Sequence, residues 1–427
     1  MTKLTSRFGL RSLVTSALAL VASCAPSDRT DLAPADITVF EGGRLIVGDG
    51  SVIDDATFVV EDGLFTMVGA RDAISVAAGT PHVDLTGKTV MPAIVNTHVH
   101  LASTREERLA QLEHMAYYGA AAAMSLGQDE GEEPFAMRDE VLTGAARSLT
   151  AGRGITSPEP GRSEAPHWVT TENEARAAVR ELAAPRVDLV KIWVDDRNGQ
   201  YEKLSPEIYR AVIEEAHTHG LRVTAHVYSL DDAKALLLAG VDAFAHGVRD
   251  RQVDEAFLDL WTERPTVVLV PNLPDPGVTV DLSWITTVPA GELSEMQARS
   301  TDRPDAQRAF DIQASNLAAL YEAGAPIAFG TDGSVAWAPH LEMEDMVRSG
   351  MSPGDVIVAA TLGSAQLVGL ASELGSVEPG KSADFIVLDA DPLEDITNTR
   401  RISDVYLRGE GLDREGLRAR ILGIAAP

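Results

Sequence analysis

The sequence of 427 residues is long enough for one large domain or two smaller ones, and 45% of its residues are apolar. No internal run of about 20 apolar residues predicts a membrane span. The formal net charge of −28 argues against nucleic acid and anionic membrane surfaces as partners. The charge does not argue for a cationic substrate, because acidic surface residues mostly serve solubility, and a homo-oligomer remains open.

Residues 1–23 have the pattern of an export signal. Basic Lys3, Arg7 and Arg11 precede the short apolar run "LVTSALALVAS". Cys24, the only cysteine, follows in "VASC", which resembles a bacterial lipobox, where the signal is cut before a cysteine that is then lipidated. The alternative is an ordinary signal peptide cut near a free cysteine. We predict an exported lipoprotein facing the periplasm or cell exterior, anchored to the membrane only through Cys24, with residues 24–36 as a tether.

Short strands separated by glycine are predicted at both ends of the mature chain. Residues 37–90 contain "DITVFEGGRLIVGDG" and "ATFVVEDGLFTMVGA", and the same pattern returns within residues 369–427 in "GKSADFIVLDADP". We predict that the two segments together form one discontinuous, β-sandwich-like side domain.

Between them, residues 91–368 alternate apolar strands with helical stretches, predicted at 172–184, 206–219, 230–238 and 306–323. Eight strands can be counted: "TVMPAIVNTHVHL", "AAAMSLG", "RSLTAGRGIT", "VDLVKIWV", "LRVTAHVY", "AFAHGV", "TVVLVPNLP" and "PIAFGTD". Eight strand–helix units favour an α/β fold of the (β/α)8 TIM-like barrel type. A doubly wound open sheet is the alternative.

Metal-ligand side chains lie at the carboxyl ends of these strands, where barrels place their active sites. His98 and His100 end the first strand and, being two residues apart, face the same side of it. His226, His246 and Asp332 lie on the fifth, sixth and eighth strands. A lone His-x-His pair is more often part of a core, but ligand types at so many strand ends favour a metal site.

Lys191 interrupts the apolar run "VDLVKIWVDD", which is typical of a strand buried on both faces. Burying an ammonium group without a partner costs several kcal/mol or more. A side chain that reaches solvent at the strand end and a buried ion pair are two explanations, and a role in the metal site is a third.

The motifs "MPAIVNTHVHL", "LVKIW", "VTAHVYS", "AFAHGV", "FGTDGS" and "LGSVEPGKSADFIVLDADPLEDI" make roughly residues 35–410 similar to the amidohydrolase superfamily, in particular its imidazolonepropionase-like and prolidase-like metal-dependent hydrolases. This resemblance implies a distorted barrel with a β-sandwich-like flank and two divalent metal ions. Zinc suits the nitrogen and oxygen ligands, and manganese or cobalt would fit the same set. The implied ligands are His98, His100 and Asp332 for one ion, His226 and His246 for the other, and Lys191 as a bridging carbamate formed with CO₂.

The resemblance also implies a binuclear metal-dependent amidohydrolase, in which a metal-bridged hydroxide attacks an amide-type bond. The substrate class is a small N-acyl amino acid, a dipeptide or a cyclic amide. Asp332 is the expected proton shuttle. Tyr228 is the expected donor to the developing oxyanion, with a strand-end tyrosine exposed at its tip as the alternative.

Four further residues are candidates for substrate binding. Arg197 and Arg249 follow the fourth and sixth strands and could hold a substrate carboxylate, with surface ion pairing as the alternative. His340 follows the eighth strand, and His167 lies in the loop after the third; both are predicted to line the pocket.

Two other functions remain open on the sequence alone. The same metal site could act on a lactone, carbamate or phosphotriester, and "WVDDRNGQ" replaces the glycine-rich continuation of dipeptidase-like members, which argues against a dipeptide. A third possibility is that the protein is not an enzyme but a metal-binding lipoprotein without catalytic activity. The presence of all six candidate ligands argues against it.

The lipid anchor can be tested at Cys24. We expect wild-type protein to partition into detergent and Cys24→Ser to remain uncleaved or soluble, because the variant lacks the thiol that carries the acyl chains. Stable anchoring requires more than one chain. Recovery of all the wild-type protein in the soluble periplasmic fraction would contradict the prediction.

Overall fold

The computed structural model describes residues 37–424, so the predicted export signal, the tether and Cys24 lie outside the described residues. Between residues 37 and 424, no helix combines the length and apolar character that crossing a bilayer requires.

The strands of the described chain form two separate systems, one near the chain ends and one in the middle. In chain order they are β1 (Ile37–Ile46), β2 (Val52–Glu61), β3 (Leu64–Ala70), β4 (His82–Asp84), β5 (Thr89–Pro92), β6 (Ile94–Val99), β7 (Ala120–Ser125), β8 (Arg147–Thr150), β9 (Ile155–Thr156), β10 (His167–Trp168), β11 (Val190–Val194), β12 (Val223–Val227), β13 (Ala243–Phe244), β14 (Val268–Leu269), β15 (Phe385–Leu388), β16 (Ile402–Leu407) and β17 (Glu410–Gly411).

Helices connect the strands of the middle segment and extend to the C-terminal end. They are α1 (Arg105–Tyr117), α2 (Glu133–Arg138), α3 (Glu172–Ala183), α4 (Pro206–Thr218), α5 (Leu230–Ala239), α6 (Glu255–Thr262), α7 (Ala290–Arg299), α8 (Pro304–Glu322), α9 (Ala338–Arg348), α10 (Pro353–Val358), α11 (Ser364–Leu367) and α12 (Arg414–Leu422).

The four predicted helices correspond to α3, α4, α5 and α8, and local capping explains where they begin and end. Thr171 and Glu174 form a reciprocal capping box at the start of α3. Gly240, in the left-handed region at φ 93°, ends α5. Ser205 precedes Pro206 at the start of α4, although its side chain makes no capping hydrogen bond.

The middle strands close into a barrel. β6, β7 and β8 are parallel neighbours, and β10, β9, β11, β12, β13 and β14 form a second parallel sheet in that order. At one seam the Asp188 N–H donates to the Thr150 carbonyl (3.0 Å). At the other, Ile327 forms a parallel bridge with Leu269, and the Thr97 N–H donates to the Phe329 carbonyl (2.9 Å). The predicted (β/α)8 architecture is confirmed.

Three predicted strands differ from the observed ones. "TVMPAIVNTHVHL" is divided between β5, which pairs with the side sheet, and β6, which pairs in the barrel. "RSLTAGRGIT" is divided into β8 and β9, because Gly152 adopts a left-handed backbone at φ 58° and interrupts the ladder. The eighth barrel segment, residues 326–329, pairs through a single bridge and isolated hydrogen bonds and is not a full strand.

Strands from both ends of the described chain form one eight-stranded sheet. The order is β17-β16-β15-β5-β1-β2-β3, with β4 beside β1. An aromatic cluster joins the two segments: the Phe40 ring packs edge-on against Phe385 (5.1 Å between ring centroids) and against Tyr406 (5.0 Å). The predicted domain boundaries remain a prediction, since β5 extends the sheet to Pro92 and α12 leaves it to join the cluster around α1.

Two glycines make room for the bulky side chains of Lys191 and Trp193 in β11. A Cβ atom on Gly154 would lie 2.2 Å from a ring carbon of Trp193, and one on Gly127 would lie 2.8 Å from Cγ of Lys191. Both distances are far below van der Waals contact. The neighbouring barrel strands therefore need glycine at these points for Lys191 and Trp193 to fit.

Candidate active site

Three of the predicted histidine ligands converge on one carboxylate at the carboxyl end of the barrel. Nε2 of His98 and Nε2 of His100 lie 3.2 and 3.1 Å from Oδ1 of Asp332, and Nε2 of His246 lies 3.5 Å from its Oδ2. Ligand atoms of His98, His246 and Asp332 all lie within 4.8 Å of one another, a separation that suits a single metal ion.

His226 and Lys191 complete the group on the adjacent strands. The His226 ring lies 4.8 Å from that of His246, centroid to centroid, and its Nε2 is 2.9 Å from Oδ2 of Asp195. Lys191 is fully buried, and its Nζ has no hydrogen-bond partner among residues 37–424. Nζ lies 5.3 Å from the centroid of the Trp193 ring. The five predicted histidine and aspartate ligands therefore line one cavity. Lys191 is buried in the adjacent strand, two residues before Trp193, which pairs with His226.

Backbone geometry positions the ends of the seventh and eighth barrel segments. Asp332 and Asn272 adopt the left-handed region, at φ 50° and 45°, which is uncommon for residues other than glycine. The Asp332 N–H donates to the His98 carbonyl (2.9 Å). A Cβ on Gly330 would lie 2.7 Å from Cβ of His98, so glycine is required for this close approach.

Burial sets the protonation of the group. It lowers the pKa of Lys191 to about 7 and that of His226 to about 3. It also lowers the pKa values of His98 and His246 well below 6.5. Burial raises the pKa of Asp332, but the His100 hydrogen bond and the nearby charges of His98 and Lys191 outweigh it, so the pKa lies below its usual range. Neutral imidazoles and an ionised carboxylate are the forms that bind metals.

A cavity of about 410 Å³ opens beside these ligands. Tyr228, Arg197 and Arg249 all line it. Arg197 is held by two carboxylates, with Nη1 2.6 Å from Oδ2 of Asp195 and Nε 3.0 Å from Oε1 of Glu159. Its charge is therefore already compensated within the protein.

Arg249 is different from Arg197. Its Nε is buried without a hydrogen-bond partner, and its guanidinium makes no ion pair within residues 37–424. Burial lowers its pKa, while the charges of Asp332 and Asp195 raise it. A partly buried guanidinium that faces a cavity and has no carboxylate paired directly to it within residues 37–424 can bind an anionic group.

The structure does not bring His340 or His167 to the cavity. His340 is fully buried in α9, with Nδ1 3.0 Å from Oγ1 of Thr399 and Nε2 3.1 Å from the Tyr118 carbonyl oxygen. His167 lies in the short strand β10, and its nearest carboxylate is Glu181, 3.7 Å from Nε2. Both side chains contact other parts of the protein, so their positions give no support to the predicted role in substrate binding.

Three residues near the ligands escaped the sequence analysis. Asp195 contacts His226, Asn272 Oδ1 lies 2.9 Å from Nδ1 of His98, and Glu159 holds Arg197. Asp195 could have been found, because it follows β11 directly and so lies at the carboxyl end of a barrel strand. Asn272 could have been found in the same way, because it lies near the carboxyl end of the predicted strand "TVVLVPNLP". Glu159 lies in a loop without a readable pattern.

The chain is similar in sequence to known hydrolases. The model of the Amidohydrolase family matches residues 89–411. The chain belongs to the amidohydrolase family. An imidazolonepropionase from Deinococcus radiodurans is 27% identical over 399 residues, covering 86% of this chain and 94% of the relative. An ochratoxinase from Aspergillus niger is 24% identical over 421 residues, covering 85% and 83%.

A solved structure supports the fold independently. A Xaa-Pro dipeptidase with methionine bound in its active site superposes with a TM-score of 0.70 at 24% identity, covering 88% of this chain and 99% of that one. The predicted superfamily, barrel with side domain and enzyme class are thus confirmed: the protein is a hydrolase of the class that acts on carbon–nitrogen bonds.

The buried amine gives a testable pH dependence. In metal-free and CO₂-free buffer at pH 7, we expect Lys191→Met to require more urea for unfolding than wild type, because methionine fills the site without an amine to desolvate. Between about 7 and 10.5 the unfolded chain binds a proton that the folded chain does not. Wild-type stability therefore rises with pH across this window, and the difference between the two proteins should shrink.

Lys203→Met is the matched control, because it makes the same exchange at an exposed lysine paired with Asp232. It reports the background effect of losing one lysine at each pH. A difference between Lys191→Met and wild type that stayed constant from pH 7 to about 10 would show that the Lys191 amine is not desolvated.

Proposed function

We propose that this protein is a binuclear metal-dependent amidohydrolase that cleaves the amide bond of a small N-acyl amino acid. One observation carries the substrate class: the uncompensated guanidinium of Arg249 lines the same cavity as the convergent histidines. Family membership supports amide hydrolysis, and the cavity supplies an anchor for a substrate carboxylate. We further propose, from the sequence alone, that the protein is exported and anchored through Cys24.

The donor set fits two divalent ions, with zinc the best match and manganese or cobalt possible. His98, His100 and Asp332 would hold one ion, and His226 and His246 the other. Nδ1 of His100, Nδ1 of His246 and Nζ of Lys191 are buried without partners among residues 37–424, which marks the surroundings as a polar site. Lys191 would bridge the ions as a carbamate, since an amine of lowered pKa is available to react with CO₂.

Bound there, the ions would lower the pKa of a shared water and polarise the substrate carbonyl. Asp332 is the residue placed to move the proton, because its carboxylate contacts three histidines while its side chain stays 38% exposed to the cavity. It would accept the proton of the attacking water and deliver it to the leaving nitrogen. Tyr228 lines the cavity two residues beyond His226 and would donate its hydroxyl to the developing oxyanion.

Arg249 would bind the carboxylate of the substrate and so fix its orientation. The backbone N–H of Arg249 donates to the backbone carbonyl of Tyr228 (2.9 Å), so the proposed carboxylate anchor and the proposed oxyanion donor are connected by a hydrogen bond. Arg197 contributes differently, since Asp195 and Glu159 already neutralise it. We assign it to the cavity wall rather than to the carboxylate clamp.

Metal content tests the core of the proposal. We expect elemental analysis of the purified protein to approach two divalent ions per chain, and Lys191→Ala to lose most of the second ion and most of the activity. Added acetate or propionate should restore part of both, because a short carboxylate fits the cavity that the side chain leaves. Lys191→Arg should not be rescued, since a guanidinium stays charged and fills the space. Full activity in metal-free wild type would rule the mechanism out.

The carboxylate anchor is tested by comparing an N-acyl amino acid with its uncharged amide. We expect Arg249→Met to lower kcat/KM for the acid by about 10–100-fold, because a charge-assisted hydrogen bond contributes about 1.5–3 kcal/mol. The amide should be affected far less. Arg162→Met is the control, since Arg162 also lines the cavity but is paired with Glu159. Equal losses for acid and amide would refute the assignment.

A further inference from the structure

A line of alternating charges connects the loop after the third barrel strand to a metal ligand. Oε2 of Glu159 accepts from Arg162 (2.6 Å), and its Oε1 accepts from Nε of Arg197 (3.0 Å). Nη1 of Arg197 donates to Oδ2 of Asp195 (2.6 Å), and that same oxygen lies 2.9 Å from Nε2 of His226. Asp195 is therefore held between an arginine and a histidine.

The Asp195 contact decides which nitrogen of His226 carries the proton. Nη1 of Arg197 also lies 3.0 Å from Nε2 of His226, and because an arginine can only donate, this contact is a hydrogen bond only if Nε2 carries no proton. The shorter contact of Nη1 is the one to Oδ2 of Asp195 (2.6 Å), and that bond is kept in either tautomer. The arrangement in which Asp195 accepts from both neighbours is the one with Nε2 protonated, because a bare Nε2 would face the carboxylate at 2.9 Å. That arrangement leaves the lone pair on Nδ1 of His226.

The other three histidines present the opposite nitrogen. Nε2 of His98, of His100 and of His246 all point at Asp332. The second nitrogen of His98 is bonded to Asn272, whereas those of His100 and His246 have no partner among residues 37–424. His226 is thus the one member of the group whose Nε2 is directed away from Asp332 and toward a separate carboxylate.

We propose that Asp195 is a positioning residue that fixes His226 as the Nε2–H tautomer and so presents Nδ1 to the second metal, with Arg197 and Glu159 holding Asp195 in place. A partner on the non-ligating nitrogen orients a metal-binding histidine, and losing it weakens metal affinity about 10–100-fold. The metal part of this inference rests on the proposed function; the tautomer does not. Asp195 belongs to "WVDDRNGQ", where the sequence departs from its dipeptidase-like relatives.

The tautomer is measured directly on metal-free, full-length protein labelled with ¹⁵N-histidine, by long-range ¹H–¹⁵N correlation. His226→Gln assigns the His226 signals by their loss. We expect wild-type His226 to show the Nε2–H pattern and His98, bonded to Asn272 through Nδ1, to show the Nδ1–H pattern. Observation of the Nδ1–H pattern for wild-type His226 overturns the proposal, and this arm needs no Asp195 variant to fold.

Variants then separate positioning from general effects of charge. Asp195→Ala should convert His226 to a mixture of tautomers and weaken the second zinc by about 10–100-fold, leaving the first zinc and the His98 signals unchanged. Asp196→Ala removes the same charge from the adjacent, exposed position and should change neither. Glu159→Gln should give a weaker version of the Asp195→Ala effect. An unchanged tautomer and zinc affinity in Asp195→Ala would overturn the proposal, whether or not the enzyme hydrolyses N-acyl amino acids.

Discussion

A lysine amine buried in the barrel without a hydrogen-bond partner among residues 37–424 is the constraint on which the rest of the site depends. Desolvation disfavours the ammonium form and lowers the pKa of Lys191 to about 7, so neutral, nucleophilic amine is present near neutral pH. The same residue contributes nothing to stability that an apolar side chain would not contribute better. Gly127 and Gly154 are shaped to admit it and the Trp193 ring. The barrel thus keeps a costly group at its centre, which is expected of a functional site and not of a core.

The electrostatics of the cavity differ from those of the whole molecule. The net charge is −28, yet Arg249, which lines the cavity, has no carboxylate paired to it within residues 37–424. Charges separated by more than about 8 Å in solution are largely screened at physiological salt, whereas partly buried charges are screened much less. The acidic surface therefore does not prevent the cavity from binding an anionic group. The net charge of the whole sequence therefore indicates which large partners are unfavourable. The charges that line the cavity determine which small substrates can bind.

The sequence predicted the parts of the site that follow from strand periodicity. His98, His100, His226, His246 and Asp332 could be found because strand ends of a barrel meet at one face, and Lys191 because a charge inside an apolar run is conspicuous. Contributions from loops could not be found this way, because Glu159 contacts Arg197 from 38 positions away in sequence. The sequence does not show where the segments after the strands fold, and for this reason His340 was predicted to line the pocket. It lies in a helix, where its ring is enclosed by Tyr118 and Thr399.

The prediction of strand boundaries from the sequence was wrong where tertiary contacts override the local sequence pattern. The apolar run from Thr89 to Val99 reads as one strand, but Pro92 ends the pairing with the side sheet, and the next residues pair in the barrel. Gly152 interrupts what reads as a single third strand. The break at Pro92 precedes the amino end of β6, and the break at Gly152 follows the carboxyl end of β8. Periodicity detects the apolar faces but not the point at which a chain changes its partner.

The loop residues with irregular backbone near the site are hydrogen-bonded to the candidate metal ligands or to residues that contact them. Asp332 adopts its left-handed backbone while its N–H bonds to the His98 carbonyl, and Asn272 does so while its side chain bonds to the His98 ring. The Arg197 N–H bonds to the Asp195 carboxylate that contacts His226. Each strained residue costs about 1–3 kcal/mol and persists because its surroundings determine it. The loop carboxylate Glu159 is thus connected to the candidate ligand His226 through Arg197 and Asp195 without contacting it.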